Sequence, residues 1–234
     1  MANGIVIIDK PAGWTSMDVC AKLRGILREK KIGHAGTLDP MATGVLVVLL
    51  GNATRASDHA SGQSKEYVAR LQLGQVTDTQ DVTGTVLEEH PVTAGEEELR
   101  QILPAFTGDI QQLPPMYSAI SVNGKRLYDL ARKGVEVERQ SRDICIEELE
   151  LLEPAADLGE HQYDLRAMCS KGTYVRTICH DIGAALGCGG TMAALRRTMA
   201  CGYTEADAVT LEQVQHRQFD GLIITGAPVE HLEF

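Results

Sequence analysis

The sequence predicts an α+β fold with a central mixed or antiparallel sheet flanked by helices and loops. Three observations predict it. Strand-like and helix-like segments alternate irregularly, without the regular βαβ rhythm of a parallel sheet. Two alternating runs within residues 118–128 are joined by Asn123-Gly124, a strong hairpin signal. The run 44–50 is continuously apolar and begins and ends next to glycine, as a strand buried on both faces does.

The elements follow in order. Residues 4–9 are apolar and β-branched, a first strand, and Lys10-Pro11-Ala12-Gly13 is a turn. Ser16 is the expected N-cap of a helix that repeats Val19, Leu23, Ile26 and Leu27 on one face and carries Lys22, Arg24 and Arg28 on the other. Residues 33–44 read as a loop and 44–50 as a buried strand. Residues 65–73 alternate like a strand with one solvent face, and the polar stretch 74–84 reads as a loop. A short acidic helix is expected over 96–103, and Leu113-Pro114-Pro115-Met116 excludes regular structure. Strands are expected over 143–152 and 163–170. A helix over 174–186 repeats Val175, Ile178, Ile182 and Leu186 and stops at Gly187, and a short last helix spans 211–216.

Composition narrows the classes. At 234 residues and 44% hydrophobic the chain can bury a large core, and with 4% aromatics that core must be aliphatic. No apolar run approaches the ~18 residues of a membrane span, and the N-terminus does not read as a signal peptide. The six cysteines form no C-x-x-C pair and no zinc spacing, so free thiols and a cytoplasmic location are expected. His180-Asp181 lacks the further ligands of a metal dyad and reads as part of a helix face. Net charge is −10, but residues 1–72, 121–142 and 161–200 each balance to +3. The basic stretches are thus segregated, which permits an RNA surface without establishing one.

The stretch Gly33-His34-Ala35-Gly36-Thr37-Leu38-Asp39-Pro40-Met41-Ala42-Thr43-Gly44 concentrates the chemistry. Its glycines allow close backbone approach, and Pro40 stiffens the chain around Asp39. Taken alone, Asp39-Pro40 could equally start a turn. A phosphate cradle is disfavoured because the spacing is not that of a P-loop and no Lys follows.

This loop resembles the catalytic loop of the tRNA pseudouridine synthase B family, close to G-H-x-G-T-L-D-P-x-A-T-G. Seven further motifs resemble the same family in the same order. They are Asp9-Lys10-Pro11-Ala12-Gly13-Trp14-Thr15-Ser16, Lys65-Glu66-Tyr67, and Thr77-Asp78-Thr79-Gln80-Asp81 followed by Gly84. Then come Gln112-Leu113-Pro114-Pro115-Met116-Tyr117-Ser118-Ala119, Leu127-Tyr128 with Ala131-Arg132 and Gly134, Cys169-Ser170-Lys171-Gly172-Thr173-Tyr174-Val175-Arg176-Thr177, and Leu195-Arg196-Arg197-Thr198. The sequence departs mildly from the pattern at Val47 and at Gly190-Thr191.

The resemblance implies a pseudouridine synthase fold and isomerisation of uridine to pseudouridine in the T-loop of tRNA, at position 55. It implies that Asp39 is catalytic, that Arg176 pairs with it, and that Tyr67 stacks on the target base, with a general-base role for Tyr67 left open. It implies that Tyr174 lies near the sugar or base, that His34 supports the rearranged RNA loop, and that Lys10, Pro11 and Leu195 wall the pocket. The reaction breaks an N–C glycosidic bond, turns the base and rejoins it through carbon. No atom is lost, so no cofactor and no metal are expected. The carboxylate must be ionised, and a neighbouring Arg typically lowers its pKa by ~1–3 units. The target base must be flipped out, and an aromatic face returns ~1–3 kcal/mol by stacking. Residues 1–234 are expected to form a single catalytic domain without a C-terminal RNA-binding domain of the PUA type, acting as a monomer on the T-arm. The alternative is a non-catalytic tRNA-binding or folding module.

Overall fold

The computed structural model describes residues 3–122 and 124–216. Their contacts divide the chain into two compact units, the described parts of Met1–Val68 with Leu195–Phe234, and Ala69–Ala194. The first unit opens with β1 (Gly4–Lys10), α1 (Ser16–Leu27), β2 (Ile32–Ala35), β3 (Thr43–Leu50) and α2 (Ser57–Ser61), and the chain leaves it along β4 (Lys65–Leu73). The second unit continues with β5 (Gln75–Thr77), β6 (Val86–Glu89), α3 (Glu96–Ile102), β7 (Gly108–Gln112), β8 (Ser121–Val122), β9 (Lys125–Arg126) and α4 (Leu127–Ala131). It closes with β10 (Arg142–Leu151), β11 (Gln162–Cys169) and α5 (Val175–Ala185). β12 (Gly190–Ala200) returns the chain to the first unit, which adds β13 (Tyr203–Thr204) and α6 (Leu211–Gln215).

In the first unit β3 is the central strand. It pairs antiparallel with β1 from Gly4↔Leu50 to Lys10↔Gly44, and antiparallel with β2 from Ile32↔Leu50 to Ala35↔Val47. β12 pairs with it in parallel at Arg196↔Thr43 and Arg197↔Gly44, so the sheet is mixed, as expected. The period of two divides the core. Val6, Ile8, Leu46, Val48 and Leu50 face Val19, Cys20 and Leu23 of α1, with Val209 and Val214. Ile5, Ile7, Val45, Val47 and Leu49 face the other way, against Ala35, Ala56, Ala60 and Ala200. Burial of each large aliphatic side chain contributes about 1.5–3 kcal/mol.

The N-cap of α1 is Thr15 rather than Ser16. Thr15 Oγ1 accepts from the Asp18 amide, and the Asp18 carboxylate accepts from the Thr15 amide, a reciprocal pair that Ser16 has no partner to match. Ser16 is buried, and its hydroxyl serves the loop between β2 and β3 instead.

In the second unit β11 lies between β4 and β10, and β10 pairs antiparallel with β11 and with β7. The expected alternation of β4 is present at every position, with Lys65, Tyr67, Ala69, Leu71 and Leu73 buried. Arg70, on its other face, pairs with Asp164 of β11 at 2.8 Å and with Asp157 at 3.0 Å. Gly183 of α5 meets the start of β12 so closely that a Cβ there would lie 2.1 Å from the Gly190 amide nitrogen. The expected hairpin forms as β8 and β9, with Gly124 at φ 77°; Asn123, the other half of the turn signal, lies outside the described residues.

Two expected boundaries change, and strands are added. The 33–44 loop begins with β2, because Gly33 and His34 are taken into the ladder of β3. The 74–84 loop begins with β5, which pairs with β6. Residues 190–200 form the long strand β12, which hydrophobic periodicity does not reveal because it holds a buried arginine, Arg197. β7 and β13 are likewise additions.

Candidate active site

Asp39 lies half-buried on the loop between β2 and β3. That loop is fastened from three sides within the first unit. Ser16 at the head of α1 accepts from the Leu38 amide at 2.9 Å and its hydroxyl reaches the Leu38 carbonyl at 3.3 Å. The Gly13 amide donates to the Pro40 carbonyl at 2.8 Å, and the Ala42 amide closes a turn onto the Asp39 carbonyl at 3.0 Å. Arg197, fully buried on β12, donates through Nε to the Val45 carbonyl at 2.7 Å and through Nη2 to the Gly36 carbonyl at 3.1 Å. These two acceptors bracket the loop. The backbone on both sides of Asp39 is thus held in place.

Lys10 is the second buried cation here. Its ammonium donates to the carbonyls of Trp14 at 2.6 Å, Pro11 at 3.0 Å and Pro40 at 3.2 Å. One lysine therefore ties the Pro11–Trp14 turn to the Asp39 loop. Burial pushes its pKa down to about 8; Asp39 opposes that shift and Arg197 adds to it. Gly44 makes the close approach possible. It adopts φ 97°, and a Cβ there would lie 2.2 Å from the Arg197 carbonyl oxygen.

The remaining expected residues fall as follows. His34 is half-buried on β2, and burial together with Arg197 lowers its pKa, which favours the neutral imidazole. Pro11 is exposed. Tyr67 on β4 and Leu195 on β12 are both buried in the first unit. Asp39, Lys10 and Pro11 are thus brought together with Arg197 near His34, while Tyr67 and Leu195 lie on strands that neighbour each other in the sheet.

Tyr174 and Arg176 lie in the second unit, at the start of α5. Gln112 holds the Tyr174 backbone from both sides, accepting from its amide at 2.8 Å and donating to its carbonyl at 3.1 Å. The Arg176 guanidinium sits 5.7 Å from the Tyr174 ring centroid and donates to the Tyr117 carbonyl at 2.7 Å. It also faces the buried carboxylate of Asp81 at 3.8 Å. Asp81 in turn accepts from the Thr83 amide at 2.9 Å and from Thr79 Oγ1 at 3.0 Å. The polar loop that carries Asp81 therefore lies against the Arg176 guanidinium, with the Thr79 carbonyl 3.5 Å away. The motif placed Asp81 in view, but its role and that of Arg197 escaped sequence reasoning, because burial of a charged group leaves no periodic trace.

Among the described residues no group of three or more His, Cys, Asp or Glu could hold a metal ion. The six cysteines are all free.

The profile of the TruB family pseudouridylate synthase N-terminal domain matches residues 24–175, and that of the tRNA pseudouridylate synthase B C-terminal domain matches residues 176–221. The chain belongs to the TruB family. It is 50% identical over 214 residues to the tRNA pseudouridine synthase B of Opitutus terrae, covering 91% of this chain and 87% of that protein. It is 43% identical over 232 residues to the tRNA pseudouridine synthase B of Alkaliphilus oremlandii, covering 98% of this chain and 76% of that one. Among solved structures it resembles a chain of a Cbf5-Nop10-Gar1 complex, with a TM-score of 0.72, 32% identity and 93% of this chain covered. The match spans 55% of that longer chain.

Proposed function

We propose that this chain isomerises uridine to pseudouridine at position 55 in the T-loop of tRNA, with Asp39 as the catalytic carboxylate. Family membership gives the reaction class, an isomerisation of uridine in tRNA. The assignment to Asp39 rests on one observation above the others: the loop that carries it is fastened at Leu38, Pro40 and Gly36 by groups from α1, the Gly13 turn and β12. Fixing a carboxylate so firmly suits a group that must meet a flipped uridine in one geometry. Tyr67 is proposed as the face on which the base stacks and Arg176 as the catalytic arginine; Tyr174, His34, Lys10, Pro11 and Leu195 are proposed to line or support the RNA site. We read the protein as a cytoplasmic monomer that engages the T-arm; no described helix is long and apolar enough to cross a membrane.

The test is to incubate the purified chain with an unmodified tRNA transcript, without added metal, and map pseudouridine at single-nucleotide resolution beside Asp39→Asn. A single new pseudouridine in the T-loop, absent with Asp39→Asn while RNA binding persists, is the expected result. Pseudouridine at another position would overturn the T-loop assignment. Binding without any pseudouridine would favour the folding-module reading instead.

A further inference from the structure

Trp14 is the sole tryptophan of the sequence, and it stands on the surface just before α1, 36% exposed, with Met17 in the first turn of that helix 53% exposed. An exposed indole that serves packing alone is uncommon, because its large apolar face gains most from burial. Its backbone is not free to drift. The Trp14 carbonyl accepts from Lys10 at 2.6 Å, the same ammonium reaches the Pro40 carbonyl, and the neighbouring Gly13 amide bonds the Pro40 carbonyl at 2.8 Å. The backbone of Trp14 is therefore tied to the loop that carries Asp39 through Lys10 and Gly13.

Beside it runs an open groove of about 430 Å³ lined by Gly13, Trp14, Asp18, Ala21 and Lys22. Two charged residues line it, Asp18 and Lys22. The amide and hydroxyl of Thr15 both donate to Asp18 Oδ2, at 2.9 and 2.6 Å, which turns that oxygen toward the helix cap. Lys22 is exposed and makes no ion pair among the described residues. The same holds of Arg28, Lys30 and Lys31 farther along, whereas Arg70, Arg100, Arg166 and Arg196 are each matched by a carboxylate. Exposed cations elsewhere, Lys125 and Lys133 among them, also make no ion pair among the described residues, so what singles out Lys22 is its place in the groove beside Trp14. An aromatic face, a neighbouring unmatched cation and continuity with the Asp39 loop together fit a single-stranded nucleic acid segment, for which stacking and phosphate contacts supply the affinity.

We propose that this groove takes an unpaired nucleotide of the substrate RNA outside the target position, with its base stacked on Trp14 and its phosphate on Lys22. The proposal rests on the tRNA reading above. It gives the enzyme a second aromatic contact that fixes the strand beside the flipped base and so sets its register.

The lone tryptophan makes the experiment direct. Tryptophan emission of the full chain is followed during titration with an unmodified tRNA transcript, while filter retention reports binding independently. At saturation the emission is quenched and the indole becomes shielded from acrylamide. Trp14→Ala weakens binding about tenfold, as loss of one base stack does. It raises KM for pseudouridine formation with little change in kcat, and Trp14→Phe restores most of the affinity. Lys22→Gln reduces the slope of log K against log salt by roughly 0.7–0.9. If the chain binds and modifies tRNA while Trp14 stays unquenched and accessible, or if Trp14→Ala binds as the wild type does, the groove is not an RNA subsite and the tRNA reading stands without it. If filter retention detects no tRNA binding, that reading falls and the groove's assignment falls with it. An emission change that Trp14→Ala shows to be uncoupled from affinity also overturns the proposal.

Discussion

Lys10 is fully buried, and three carbonyl oxygens take up its ammonium protons. The neutral amine has only two protons to give. With its pKa pushed down to about 8, loss of the third proton falls inside a pH range the enzyme can survive. It also removes a positive charge that interacts with Asp39. The single-turnover rate of pseudouridine formation is therefore expected to fall as pH rises through about 8. Unfolding does not account for such a fall. The folded-state value lies below the ordinary 10.5, so between about 8 and 10.5 the unfolded chain holds more protons and this group's contribution to stability rises with pH. A rate profile that stays flat through pH 8, beside a thermal melt that also stays flat, would remove Lys10 from this role. Gly44 gives a second expectation of the same kind. With φ at 97° and the Arg197 carbonyl 2.2 Å from the Cβ position, Gly44→Ala must move backbone against backbone. A loss of about 2–4 kcal/mol in urea unfolding is expected. A loss within the ordinary cost of a surface change would mean that β12 can yield.

α1 works as a bracket, and its head matters more than its length. The Thr15–Asp18 capping box fixes where the helix begins, and that places Ser16 under Leu38. Thr15→Ala is expected to cost about 1 kcal/mol of stability. It should slow the reaction more than a surface change of equal cost, because Ser16 loses its fixed position; unfolding curves and rates on the same samples separate the two effects. The elements also show what the sequence could and could not disclose. β3 and β4 were legible because their burial follows the residue types, a solid apolar run in one and strict alternation in the other. β12 was not, since it carries a fully buried arginine where a strand pattern calls for an aliphatic residue. The cap was misplaced by one residue because Thr15 and Ser16 both have capping chemistry, and only the position of Asp18 decides between them. Asp39, proposed above as the catalytic carboxylate, was singled out through its motif alone. The clamps Lys10, Arg197 and Asp81 are charged groups whose roles depend on burial, and burial of a charge is set by tertiary partners rather than by local pattern.

For the whole molecule the difficulty is charge. A chain of net charge −10 is proposed to bind a polyanion. At physiological ionic strength charges separated by more than about 8 Å are largely screened, so local sign outweighs the total. The first 72 residues balance to +3, and Lys22, Arg28, Lys30 and Lys31 lack ion-pair partners among the described residues. If local cations govern binding, Lys30→Gln with Lys31→Gln should weaken binding at fixed salt. The salt slope should fall by roughly 0.7–0.9 for each phosphate that is no longer neutralised. The exposed pair Glu88 and Glu89 on β6 provides the opposite change in net charge. Glu88→Gln with Glu89→Gln should leave the salt slope unchanged and the affinity within about twofold, since a screened distant charge contributes little. Equal and opposite effects of the two double variants would mean that the field of the whole protein controls tRNA capture. The local cations Lys22, Arg28, Lys30 and Lys31 would then be incidental to binding.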